Sequence, residues 1–103
     1  MHNALYALAE PNRMAILSLL RDGERPAGDF FDLLPISQPA VSKHLGVLRN
    51  AGLVTVRKDA QRRLYSLNPK PLAELDAWLQ PYRKFWDDRL DALERHLDKE
   101  FPK

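Results

Sequence analysis

Ser37, Gln38, Ala40, Ser42, Lys43 and His44 fall within the short stretch SQPAVSKH, and they make a compact set of recognition groups. The Gln38 amide is donor and acceptor at once, a shape that can address adenine N6 and N7. Ser37 and Ser42 are short hydroxyls suited to phosphates or base edges, and Ala40 is small enough to lie against a thymine methyl. Lys43 is a point charge for phosphate or for guanine O6 and N7. His44 lies beside the apolar line Val41, Leu45 and Leu48, so it is either a polar contact or a side chain wedged between helices. A neutral imidazole adds little salt-dependent affinity in either place. The bland alternative for the whole set is a solvated helix face.

A second group, Arg57, Lys58, Arg62 and Arg63, flanks Asp59-Ala60-Gln61. Arginine is drawn into narrow minor grooves, so one of the four is expected there and the others on phosphates. Alternatively, one arginine pairs with Asp59 and does little. The charge distribution sharpens the choice. Residues 37–67 hold six basic groups against Asp59 alone, whereas residues 71–103 hold six basic against eight acidic, in a chain of formal net charge +2. A basic middle on a slightly acidic tail points to a polyanionic partner, and the recognition groups above make double-stranded DNA the one expected.

The elements that must hold these groups are legible from caps and periods. Pro11 suits a first helical position, and Met14, Ile16, Leu17, Leu19 and Leu20 leave that helix few polar faces, so it should be central. Gly23 is placed to stop it. Pro26 is expected to open the next helix, in which Ala27, Phe30, Phe31 and Leu34 share a face, and Pro35 ends it. Ser37 then caps a helix over 37–51, stopped by Asn50-Ala51-Gly52. Two helices joined by a short turn, the second amphipathic and capped, have the form of a helix-turn-helix. A hairpin over 53–67 follows as a wing. Its loop lacks glycine, so Ala60 or Gln61 is expected to carry a positive φ.

From about Leu72 the chain turns helical again. Leu75, Leu79, Tyr82, Trp86, Leu90, Leu93 and Leu97 keep one stripe across Pro81, which favours one helix kinked there over two separate ones. Such a helix exceeds what a small winged domain covers, and its leftover apolar surface calls for a second copy of the chain. The fold expected is therefore mainly α with a small β-hairpin, a winged helix-turn-helix with a long C-terminal dimerisation helix. One domain over 1–103 is expected, with 1–9 and 70–100 as the dimerisation helices.

The pattern Ala7-Leu8-Ala9-Glu10-Pro11-Asn12-Arg13-Met14-Ala15-Ile16-Leu17, then Leu34 to Leu45, then Leu48-Arg49-Asn50-Ala51-Gly52-Leu53-Val54 and Arg62-Arg63-Leu64-Tyr65, resembles the ArsR-type winged helix-turn-helix repressors. The Trp78 to Leu97 region is similar to a metal-independent branch of that family. The resemblance implies a homodimer joined through its first and last helices, so Leu5 and Leu8 join the C-terminal stripe as interface residues. It implies repression from a short, imperfectly palindromic operator; promoter occlusion is the mechanism expected, and with neither cysteines nor a complete metal site, simple self-repression is one form it could take. It also implies that Gln38, Ser42 and Lys43 contact DNA.

Metal-sensing members carry thiols before the recognition helix or Asp, His and Glu clusters on the last helix. Here Gly28 to Leu33 has no thiol, and the last helix offers only His96 with Glu100. No metal site and no cofactor is expected, and the inducer is unknown. With no cysteine, three scattered histidines and no Gly-rich phosphate loop, no enzyme is expected. The chain has no apolar run of membrane-spanning length and no basic-then-apolar leader at its start, so a cytoplasmic location is expected. The competing function is a winged-helix protein-interaction module without DNA binding, for which apolar residues would be expected at Gln38, Ser42 and Lys43.

Overall fold

Two helices of this chain begin where a side chain can serve an orphan backbone N–H at their start. A computed structural model of the chain describes residues 2–101. Its elements are α1 (His2–Leu8), α2 (Pro11–Leu20), β1 (Arg25–Pro26), α3 (Ala27–Leu33), α4 (Gln38–Asn50), β2 (Val54–Asp59), β3 (Arg62–Leu67) and α5 (Pro69–Glu100). Glu10 caps α2 by accepting from the Arg13 amide at 2.8 Å. Ser37 caps α4 by accepting from the Ala40 amide at 3.3 Å.

Gly52 ends α4 at φ +78°. Its N–H bonds to the Arg49 carbonyl and that of Leu53 to the Leu48 carbonyl, both at 3.0 Å. This double closure buries Leu53 against the end of the helix it terminates. Asn68 ties the wing to the same corner, donating from its side chain to the Gly52 carbonyl at 2.8 Å and from its backbone to Leu53 at 2.9 Å.

Contacts divide the chain into two compact units at Ala73 and Glu74. In the first, Ile16, Leu17 and Leu20 of α2 form the centre, with Phe30 of α3, Val41, Leu45 and Leu48 of α4, and Leu53, Val54 and Tyr65 of the wing buried around them. Phe30 and Tyr65 meet edge-on at 6.3 Å between ring centroids. The sheet differs from the expected hairpin: it has three antiparallel strands in the order β1-β3-β2. Arg25 pairs with Tyr65 and Pro26 with Leu64. Pro26 therefore precedes α3 as its N-cap instead of opening it. A proline lacks the N–H a central strand needs, and an edge strand is where it is tolerated.

The β2–β3 loop is Ala60-Gln61, and Ala60 takes the positive φ, +56°. The second unit is helical. α5 runs unbroken through Pro81 for 32 residues, about 48 Å at 1.5 Å per residue. Within it Trp78 and Tyr82 stack at 4.9 Å, Arg89 lies 4.8 Å over Phe85, and Arg83 pairs with Asp76. From Tyr82 to Leu97 the whole apolar stripe is exposed, Trp86 at 64%.

Candidate nucleic-acid interface

The buried stripe of α4, Val41, Leu45 and Leu48, decides what its opposite side can do. With that stripe facing inward, Gln38, Ser42 and Lys43 are all exposed, and Ala40 is half-buried. Ser37, also exposed, spends its hydroxyl on the cap. The positive end of the helix dipole and these polar groups thus share one end of α4. Arg49, one turn and a half beyond Lys43, is exposed as well. It escapes the motif-based selection of contacts, although its charge is plain in the sequence.

The strand register separates the four wing cations, which the sequence leaves together. Lys58 pairs with Arg63, while Arg57 pairs with Leu64 and Asp59 with Arg62. Directly opposed residues share a face and neighbours alternate. Lys58 and Arg63 therefore lie on the Val56 and Tyr65 face, and Arg57 and Arg62 on the other. Arg63 and Arg49 line one groove of about 280 Å³ between α4 and the wing, with Ser42, Gly46 and Tyr65. On the other face, Arg57 is engaged with Glu24 through two bonds of 2.8 Å, and Glu24 also accepts from the Ser66 hydroxyl at 3.2 Å.

The Arg57 guanidinium holds the Glu24 carboxyl below its ordinary range, and Glu24 in turn raises Arg57. Arg62 reaches Asp59 at 3.1 Å across the turn, the alternative allowed for one arginine. Among the described residues, Lys43, Arg49, Lys58 and Arg63 have no ion-pair partner, so their charge is free for a polyanion.

His44 lies against the start of α2. Its side chain is 16% exposed, with Nδ1 3.3 Å from an Arg13 nitrogen and 3.8 Å from Glu10 Oε2. It belongs to the packing between α4 and the start of α2. Of the first-helix residues expected at an interface, Leu5 is 39% exposed, whereas Leu8 is half-buried and packs on the unit's own core. Leu75 and Leu79 are half-buried, and Tyr82, Trp86, Leu90, Leu93 and Leu97 are exposed. Among the described residues no group of three His, Cys, Asp or Glu side chains could hold a metal ion, and no helix is long and apolar enough to cross a membrane.

Residues 10–56, from the cap of α2 into β2, match the family model of the bacterial regulatory protein, arsR family. The chain is 40% identical over 97 residues to the HTH-type transcriptional regulator Rv2034 of Mycobacterium tuberculosis, spanning 94% of this chain and 88% of that protein. It is 35% identical over 79 residues to the transcriptional repressor SdpR of Bacillus subtilis, spanning 77% of this chain and 88% of that one. Among solved structures, one described as a possible transcriptional regulator for arsenical resistance superposes with a TM-score of 0.70 at 41% identity, covering 91% of this chain and 95% of the other.

Proposed function

Since this chain belongs to the ArsR family of bacterial regulatory proteins, we propose that it represses transcription as a homodimer, by occluding a promoter that carries an imperfect palindrome. It is a DNA-binding regulator of transcription and not an enzyme. One observation carries the reading of its interface: the exposed side of α4 presents Gln38, Ser42 and Lys43, the groove beside it is lined by Arg49 and Arg63, and Lys58 opposes Arg63 on the wing, the three cations being without an ion-pair partner among the described residues.

In this reading α4 enters the major groove N-terminus first, where Gln38 and Ser42 meet base edges and Lys43 meets phosphate or guanine. Ala40 lies near enough to pack on a thymine methyl. Ser37 orders the helix end more than it reads sequence. Arg49 and Arg63 hold the backbone on either side of the groove between helix and wing, while Lys58 and one wing-tip arginine approach the adjacent minor groove. Arg57, bound to Glu24, and His44, turned onto Glu10 and Arg13, are assigned to positioning. Two recognition helices would meet successive major grooves about 34–36 Å apart.

The test is fluorescence anisotropy on a duplex from upstream of the protein's own gene, beside a scrambled duplex, at two salt concentrations. Tight binding to the native fragment above a steeply salt-dependent background supports the reading. Absence of binding to either duplex at low salt favours the protein-interaction module.

A further inference from the structure

Arg13 stands where three helices of the first unit meet. Its Nε donates to the Ala7 carbonyl at 2.6 Å and one terminal nitrogen to the Tyr6 carbonyl at 3.4 Å, and its guanidinium lies 5.6 Å over the Tyr6 ring. These carbonyls belong to the last turn of α1, where that of Tyr6 also accepts the Ala9 N–H at 3.2 Å. The other terminal nitrogen lies 3.3 Å from Nδ1 of His44, on α4. Glu10 closes the cluster. Its Oε2 accepts the Arg13 amide at 2.8 Å and lies 3.8 Å from the same His44 Nδ1, while Oε1 accepts from Asn12 at 3.1 Å. One histidine nitrogen thus has two rival neighbours, a permanent cationic donor and a carboxylate.

The two neighbours demand opposite states of the ring. Arg13 can donate to Nδ1 only when that nitrogen is bare, in a neutral ring protonated at Nε2. A doubly protonated ring repels the guanidinium and turns an Nδ1–H toward Glu10. Partial desolvation of the Glu10 carboxyl, which would raise its pKa, is opposed by the Arg13 amide and Asn12 and, when the ring is charged, by His44, and the carboxyl sits below its ordinary range. From α2 and its cap, the ionisable groups facing His44 are Glu10 and Arg13. From α1 it is the Tyr6 phenol, through Arg13. Among the described residues no ionisable group of α3, β2 or β3, nor Lys43 or Arg49 of α4 itself, is hydrogen-bonded or ion-paired to it.

We propose that His44 is a proton-operated latch between α1 and the recognition helix: bare Nδ1 holds Arg13 and with it the end of α1, and protonation hands Nδ1 to Glu10 and frees α4 from α1. The latch rests on the DNA-binding reading for its consequence, because α4 is the helix that would enter the groove. It joins that helix to α1, where Leu5 is part of the proposed dimer interface. Histidine is the side chain whose unperturbed charge change falls between about pH 5 and 8. The signature of the latch is its sign. Added positive charge alone tightens binding to DNA on acidification, whereas release of the latch weakens it.

The experiment follows anisotropy on the same upstream duplex at constant salt from about pH 8 to 5.5, with wild type and His44→Asn. The asparagine Oδ1 can accept from Arg13 near the place of Nδ1, but it does not titrate. In parallel, ¹⁵N NMR of the imidazole in the free protein reports which nitrogen carries the proton. Expected are a wild-type loss of affinity of roughly threefold to tenfold on acidification, the size of one ordinary hydrogen bond, a flat profile for His44→Asn, and a bare Nδ1 in the neutral ring. Wild-type affinity that stays level or rises on acidification overturns the latch, as does the same fall in both proteins. A neutral ring protonated at Nδ1 also overturns it. If His44→Asn does not fold, Glu10→Gln removes the rival carboxylate and is expected to shrink the pH dependence; an unchanged profile counts against the proposal. Failure to bind DNA at any pH sinks the DNA-binding reading instead, and the NMR result still decides the contact.

Discussion

At the scale of single residues, the structure sorts cations that the sequence presents as equivalent. Arg57, Lys58, Arg62 and Arg63 are indistinguishable in a list of charges, yet Arg57 is bound to Glu24, 33 positions away. A pairing at that distance along the chain leaves no local signal, whereas the exposed trio on α4 was legible because helical period and a serine cap fix its side of the helix. Lys43→Ala and Arg63→Ala are each expected to reduce the salt slope of DNA binding by about one unit, the mark of one lost phosphate contact. Arg57→Ala should leave that slope unchanged; equal reductions in all three variants would return Arg57 to the interface. Glu24 carries a second prediction. Its folded carboxyl titrates below the ordinary 4.5 because of the Arg57 hydrogen bonds. Its stabilisation is therefore complete above the unfolded value and lost as pH falls through the lowered one. Thermal melts followed by circular dichroism between about pH 6 and 3 should show a shallower loss of Tm for Glu24→Gln than for wild type. Parallel curves would mean that the pair contributes nothing measurable.

At the scale of elements, the legible parts are those with a local physical cause. Ser37 and Gly52 bound α4 because one offers an acceptor to orphan N–H groups and the other a left-handed stop. Pro35 ended α3 for a steric reason visible in two residues. Strand β1 was not legible, since two residues, one a proline, carry no alternation, and its existence depends on Leu64 and Tyr65 of β3 arriving beside it from far along the chain. Pro81 shows the opposite limit. A proline inside a helix argues for a break, but the seven-residue apolar stripe continues in phase on both sides, and α5 is continuous. The α4 stop can be tested alone. A Cβ at Gly52 would meet nothing within 4 Å, so Gly52→Ala is penalised by its φ of +78° and by little else. A loss of about 1–2 kcal/mol is expected from urea unfolding, the penalty of a left-handed non-glycine residue. No loss would show that the corner relaxes freely.

At the scale of the whole molecule, the exposed face of α5 has to be explained, because Tyr82, Trp86, Leu90 and Leu93 are each more than half exposed. A contiguous apolar face of this kind on a charged helix marks an interaction surface more than a monomer surface. The same stripe on two copies is self-complementary about a two-fold axis, which is how a single sequence can bury it twice. Trp86→Ser with Leu90→Asp should therefore convert a particle of twice the 11.9 kDa chain mass into a single chain in light scattering after gel filtration. A wild type that runs as a single chain would remove the dimer from the proposal, and a double variant that stays paired would move the interface off this stripe. DNA binding adds an independent measure of the same event. Linking two recognition helices makes the second half-site an intramolecular encounter, so separation should weaken binding to the full operator by a factor of 100 or more, within the roughly 10²–10⁴ range of such linkage. It should also halve the salt slope, because each chain brings only its own phosphate contacts. A variant that is monomeric yet keeps both affinity and slope would show that one winged helix reads the operator alone, and the palindrome would lose its reason.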